Sequence, residues 1–228
     1  MKIAIVAAMD KEVRLLLELM PHHSVREAEG QTIYEGRIGR HEVVLSKCGI
    51  GKVNSALRTN RLIHMCQPDL VINSGVAGGA DASVRIGTVL AADSAGYHDV
   101  WCGPGTEPGE ADGFPRLFLP YPKGMEIVAR LAEQNPELMT GMIATGDRFI
   151  TTPEEIRAIK EVYPQALACD MESASIAHAC AANGVPFMVV RVVSDTPGSG
   201  ENISQYENFF SEAPEKTCHL LTELLERL

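Results

Sequence analysis

Carboxylates recur in this chain at one kind of position, at the end of an apolar run or just past it. Glu12 follows IAIVAAM (residues 3–9), Asp170 and Glu172 follow ALAC (166–169), and Ser194 and Asp195 close PFMVVRVVSD (186–195). Asn73 and Ser74 sit near the end of DLVINSG, and Asp147 and Phe149 lie in TGDRFI (145–150). No basic cluster accompanies these acids, so acid/base chemistry on a neutral polar ligand fits them better than phosphate recognition. Plainer readings stand beside that one. Asp170 fits a helix cap, Glu172 in a first turn favours the helix dipole, and Asp195 fits a turn. One acid suffices for capping, so the second acid of DMES (170–173) is the odd one. Phe149 is placed to stack on a planar ring, with the Ile150 backbone at the ring's edge. Core packing is the ordinary reading of a lone Phe.

The elements that must position these groups alternate along the chain. IAIVAAM reads as a buried strand, and Glu12, Val13, Leu15, Leu16 and Leu19 lie along the amphipathic helix after it. TIYEGRI and EVVLSKC form a strand pair with a turn at Gly39-Arg40. Helical periodicity runs from Lys52 to Met65, and DLVINSG and IGTVLAADSAGY read as strands. Residues 102–115 are dense in Gly and Pro and form a loop. Beyond it the pattern predicts a helix over Met125–Gln134, a strand ending at TGDRFI and a helix after Pro153. It then predicts a strand at ALAC, a helix with one apolar face after DMES, a last strand to Asp195, and a helix from about Pro214. Such alternation predicts one α/β domain over 1–228, with helical layers on both sides of a mixed, mostly parallel sheet. Ligands of such sheets gather beyond the carboxyl ends of strands, where the acids stand.

Two glycine clusters invite other readings. GIGKV (49–53) lacks the first glycine and the hydroxyl residue of a phosphate loop, with Ser46 and Val53 at those places, so it reads as a tight turn opening a helix. SGVAGG (74–79) reads either as a packing turn after a strand or as a place where a ligand approaches the backbone.

Composition narrows the class. The 228 residues are 45% hydrophobic, enough for a sizeable core, and the formal net charge is −10. That charge argues against nucleic-acid backbones and anionic membranes as partners. No apolar run approaches the roughly 18 residues of a membrane span. The six cysteines show no metal-ligand spacing and suit small core residues in a reducing compartment, so a cytoplasmic protein without metal is expected.

Jointly, AAMDKEV (7–13), GIGKVNSA (49–56), NSGVAGG (73–79), YHDV (97–100), TGDRFI, DMESASIAH (170–178) and VVRVVSDTPG (189–198) follow one pattern. In order and spacing the set resembles the 5′-methylthioadenosine/S-adenosylhomocysteine nucleosidase family, within the nucleoside phosphorylase/nucleosidase superfamily. The resemblance implies a three-layer α/β/α fold with a central twisted sheet, hydrolysis of a ribosyl–adenine bond, no cofactor, and a homodimer. It implies Glu12 as base for the attacking water, Glu172 on the ribose hydroxyls and Asp195 as acid toward purine N7. Phe149 and Ile150 are then implied at adenine, Met171 at the sugar, and Arg191 and Ser194 in support of the acids. Ser74, Val76 and Tyr206 complete the implied substrate-binding set.

The chemistry is coherent. An N-glycosidic bond breaks through an oxocarbenium-like state that carboxylates favour, and adenine leaves well only once N7 is protonated. An acid in that role needs a raised pKa. The chain departs from the family pattern at Val76, at Asp170 where glutamate is common, and at VWCGPGTEPGE (100–110), where Trp101 and Cys102 are candidates for the 5′ substituent. Futalosine hydrolase, a phosphate-dependent purine nucleoside phosphorylase and a non-catalytic purine-nucleoside binder are the alternatives. Glu12 opposes the phosphorylase by repelling phosphate, and the need for only some of the acids opposes the binder.

Overall fold

In β1 (Lys2–Ala7), Ile3, Ile5 and Ala7 join one apolar cluster while Ala4 and Val6 join another. Side chains alternate across a strand, so a strand that is apolar throughout must be covered on both faces. The computed structural model describes residues 1–212 and 215–228. One layer holds α1 (Asp10–Glu18), α3 (Pro122–Ala132), α6 (Asn202–Glu212) and α7 (Glu215–Arg227), whose Val13, Val128, Phe209 and Leu221 pack with Ile3 and Ile5. The opposite layer holds α2 (Lys52–Cys66) and α5 (Ser173–Ala182), where Leu62 and Ile176 pack with Ala4 and Val6. α4 (Pro153–Val162) seals a third cluster through Ile159.

The remaining strands are β2 (His23–Ala28), β3 (Gln31–Ile38), β4 (His41–Lys47), β5 (Leu70–Gly79), β6 (Val89–Tyr97), β7 (Leu138–Thr145), β8 (Ala166–Asp170) and β9 (Phe187–Asp195). They form one mixed sheet in the order β2-β3-β4-β1-β5-β8-β7-β6-β9. β9 also pairs with β5, so β5, β8, β7, β6 and β9 curl into a closed ring at that end. The three-layer mixed sheet is as expected, and the ring is what the sequence did not announce. β5 permits it by shifting register between Ala77 and Gly78, beyond which Gly78 lies opposite both Cys169 of β8 and Asp195 of β9. The ends of three strands thus meet at one glycine.

Several expectations change in detail. SGVAGG is neither a turn nor a loop, since Ser74–Gly79 continues β5. α5 is buried almost all round, rather than on one face, because it is wedged between the sheet and α2. β2 was not expected. It is a polar edge strand joined to β3 by a hairpin turn in which Glu29 and Gly30 both have positive φ. α6 was likewise unannounced, and Pro214, the expected start of the final helix, lies outside the described residues. GIGKV does open a helix, with Gly51 at φ 91° immediately before α2. Among the described residues no helix is long and apolar enough to cross a membrane.

Candidate active site

Glu12 is the third residue of α1, a place from which a glutamate can bend back to the start of its own helix. Its Oε2 accepts the N–H groups of Ala8 (2.8 Å) and Met9 (2.9 Å), and its Oε1 accepts that of Val76 in β5 (3.1 Å). Burial pushes its pKa up, opposed by the nearby Arg191 guanidinium and by those three backbone bonds. The carboxylate reaches β5 only because residue 75 has no side chain. A Cβ there would lie 2.3 Å from Glu12 Oε1 and 2.4 Å from Arg191 Nη1.

Arg191, fully buried in β9, is the hub. Its Nη2 lies 2.7 Å from Asp170 and 3.3 Å from Glu172, and its Nη1 4.0 Å from Glu12. Burial disfavours its charge, but Asp170, Glu172 and Glu12 outweigh that and raise its pKa. Asn73 anchors the other side, accepting from Nη2 through Oδ1 (2.8 Å) while its Nδ2 donates to Val6 (3.2 Å). Glu172 immediately precedes α5. Its Oε1 accepts the Gly51 N–H at 3.0 Å, and burial raises its pKa to about 7, with Asp170 and Glu12 adding to the rise and Arg191 and Gly51 opposing it. The glycine cluster before α2 therefore serves a carboxylate rather than a phosphate.

Asp195 ends β9, with its Oδ1 accepting the Ser194 hydroxyl at 2.7 Å. Burial raises its pKa, against contacts from Ser194 and Asn202. Phe149 projects from the loop after β7 and meets the Tyr206 ring edge-on at 5.4 Å, while the Ile150 carbonyl accepts from Asn202 at 3.2 Å. Phe149 is 42% exposed, so the core-packing reading of this residue does not hold.

These groups line one cleft. Glu12, Val76 and Arg191 share its wall with Phe149, Ile150, Met171, Glu172, Ser194, Asp195 and Tyr206. Ser74 does not join them, being fully buried in β5. Trp101 and Cys102 are exposed and also lie off the wall, with the Trp101 indole N–H directed to the Thr106 carbonyl (3.3 Å). Chemically the cleft offers buried carboxylates with raised pKa at two places, next to an exposed aromatic face. Such an arrangement can give and take protons on an uncharged ring compound.

Residues 2–226 match the family model described as the phosphorylase superfamily. A 5′-methylthioadenosine/S-adenosylhomocysteine nucleosidase of Haemophilus influenzae (strain PittEE) is 37% identical over 230 residues, covering 100% of both chains. The chain belongs to this nucleosidase family of the phosphorylase superfamily. Among solved structures, an S-adenosylhomocysteine nucleosidase of Streptococcus pyogenes in complex with 5-methylthiotubericidin is similar with a TM-score of 0.95 at 35% identity, covering 100% of this chain and 97% of that one. A futalosine hydrolase mutant of Helicobacter pylori gives 0.92 at 26%, covering 100% and 99%.

Sequence reading of this nucleosidase-family chain named Asn73 and Asp147 only as polar residues near strand ends, and it missed Gly75 and the Gly51 amide. Gly75, Asn73 and the Gly51 amide act directly on Glu12, Arg191 and Glu172. A further set docks the loop after β7 on the start of α2. Asp147 Oδ1 accepts the Lys52 N–H (2.7 Å), Asp99 Oδ2 accepts that of Asp147 (2.9 Å), and the Lys52 ammonium pairs with Asp99 (2.7 Å). The motifs GIGKV, YHDV and TGDRFI thus meet at one joint. Their adjacency is tertiary, and no spacing along the chain signals it.

Proposed function

We propose that the protein hydrolyses the N-ribosyl bond of 5′-methylthioadenosine and S-adenosylhomocysteine, releasing adenine and the 5′-thioribose product. The observation that carries this reading is the convergence of Glu12, Glu172 and Asp195, each with a raised pKa, in one cleft beside Phe149. Phe149 stacks on the adenine ring and the Ile150 backbone reads its edge. Asp195, whose pKa burial raises and which Ser194 orients, donates to N7 as the bond lengthens. Glu12 activates the water on the opposite face of the sugar. Glu172 and Met171 hold the ribose, and negative charge around the ring favours the oxocarbenium-like state. Val76 and Tyr206 shape the sugar end, and no cofactor takes part.

Hydrolysis is preferred over phosphorolysis because the two arginines on the cleft wall are both committed to carboxylates. Arg148 pairs with Glu155 at 2.7 Å, and Arg191 is shared among Asp170, Glu172 and Glu12. An incoming phosphate would meet acids there. The whole chain acts as one catalytic domain in the cytoplasm, without nucleic-acid or membrane partners. It works as a homodimer, for which exposed Ile50, Val53 and Leu57 at the start of α2 offer an apolar contact beside the cleft. Light scattering that gave a monomer would remove the dimer.

Futalosine hydrolysis is the second reading, favoured by the 0.92 TM-score of that neighbour and weakened by its lower identity. The test is base release from methylthioadenosine, S-adenosylhomocysteine and futalosine, each with and without phosphate. Adenine release from the first two without phosphate is expected. Strict phosphate dependence would overturn hydrolysis, and preference for futalosine would move the protein to the second reading.

A further inference from the structure

Of the carboxylates on the cleft wall, Asp170 is the one to which the proposed reaction gives no task. A capping acid needs one backbone donor. Asp170 has the Ser173 N–H (3.1 Å), the Ser173 hydroxyl, the Thr145 hydroxyl (2.6 Å) and Arg191 Nη2 (2.7 Å). The Ser173 amide, the Thr145 hydroxyl and the guanidinium all donate to it, while the Ser173 hydroxyl, also 3.0 Å from Asn73 Oδ1, has one proton for two acceptors. Thr145 is itself fixed, its oxygen accepting the Ala174 N–H at 2.9 Å. Glu172 holds less: the Gly51 N–H at 3.0 Å and the same Nη2 at 3.3 Å.

We propose that Asp170 is a positioning residue: by taking the nearer hold on Arg191 it keeps the guanidinium from neutralising Glu172, and so leaves Glu172 as the carboxyl that exchanges a proton with the ribose pocket. One buried cation cannot balance Glu12, Asp170 and Glu172 together, so at least one of them must take a proton. The number of donors around each acid decides which. The other ionisable groups facing the pair do not supply the missing charge. Cys48 after β4 and Tyr206 of α6 face Glu172, and burial holds both above their ordinary range, hence neutral. His98 after β6 and Cys169 of β8 face Asp170. Burial lowers the first and raises the second, so these too are neutral. Burial also lifts Glu172 to about 7, and the charge of Asp170 adds to that rise. A carboxyl poised there both donates to and accepts from a vicinal diol when protonated, and stabilises developing positive charge once ionised.

The consequence for rate rests on the nucleosidase reading, whereas the consequence for protonation does not. The test therefore reads both. The carboxyl C=O band of Glu172 is titrated by infrared difference between the full-length protein and its Glu172→Gln variant, in the wild-type and Asp170→Asn backgrounds. The pH profile of kcat/KM for adenine release is followed in parallel. Removing the Asp170 charge and freeing Nη2 act in the same direction, so the Glu172 midpoint falls by about one pH unit or more. The corresponding limb of the rate profile moves with it. Asp170→Glu, which keeps the charge, leaves the midpoint near the wild-type value. Asp170→Ser keeps a capping oxygen but no charge and shifts it as Asn does. A folded neutral variant with an unmoved midpoint overturns the proposal, as does failure of both neutral variants to fold, which would assign Asp170 to the fold alone. A shifted midpoint in a protein that releases no adenine would sink the nucleosidase reading and leave this inference standing.

Discussion

Gly75→Ala is the smallest change that bears on Glu12 and Arg191 together. The added Cβ lies 2.3 Å from Glu12 Oε1 and 2.4 Å from Arg191 Nη1, each about 1 Å inside the 3.4 Å of ordinary contact. Neither atom has free room. Glu12 is tied to the Ala8 and Met9 amides, Arg191 to Asp170 and Asn73, and both side chains are buried. Relief requires Oε1 to give up the Val76 N–H at 3.1 Å and swing away from β5. Overpacking and the lost charged hydrogen bond together cost about 3 kcal/mol of stability. That corresponds to a melting temperature lower by roughly 6–12 °C for a chain of this size. A misplacement of about 1 Å in a reacting group costs on the order of 10²-fold in rate. The assay is kcat for adenine release from methylthioadenosine by ultraviolet absorbance, at a temperature where the variant is folded. A folded Gly75→Ala protein with kcat within about threefold of wild type would refute the placement of Glu12 as base.

Two further outcomes follow from the same geometry. Asp195→Asn keeps the shape of the side chain but has no proton to give N7. Loss of about 10²–10⁴-fold in kcat is expected with the melting temperature little changed, and near-normal turnover would remove Asp195 as the acid. Glu172 links the cleft to stability. Its folded-state pKa of about 7 lies above the ordinary 4.5, so the folded chain keeps a proton there that the unfolded chain has lost. Its contribution is fully present below 4.5 and is lost as pH rises through 7, about 3 kcal/mol in all. Urea denaturation at about pH 5 and about pH 8 should therefore show wild type losing more stability than Glu172→Gln over that range, and equal losses would refute the raised pKa.

The α/β alternation was legible because apolar runs such as Ile3–Ala7 and Phe187–Val190 need cover on both faces whatever the rest of the chain does. β2 was not, because an edge strand with exposed Ser24 and Val25 needs little apolar signal and takes its place from backbone pairing with β3. α6 lacked a clear apolar period, although its Tyr206 and Asn202 reach the cleft side of the molecule. The acids were legible as a set because each stands where a strand gives way to a loop or helix. Ser74, read into the same set, is buried in β5 because the strand runs on through SGVAGG to Gly79.

The sequence by itself determined the layered fold, the family, and the acids and aromatic from which a site can be made, since these depend on residue type and local order. The tertiary structure decided how those groups act on one another. The closure of β5 and β9 sets Arg191 beside Glu12, Asp170 and Glu172. Gly75 clears the space that Glu12 fills, and the Gly51 amide, contributed from 121 residues away, holds Glu172. The physical reason is that protonation is set by burial and by distances of a few ångströms between groups far apart in the chain. Those quantities exist only once the strands have met.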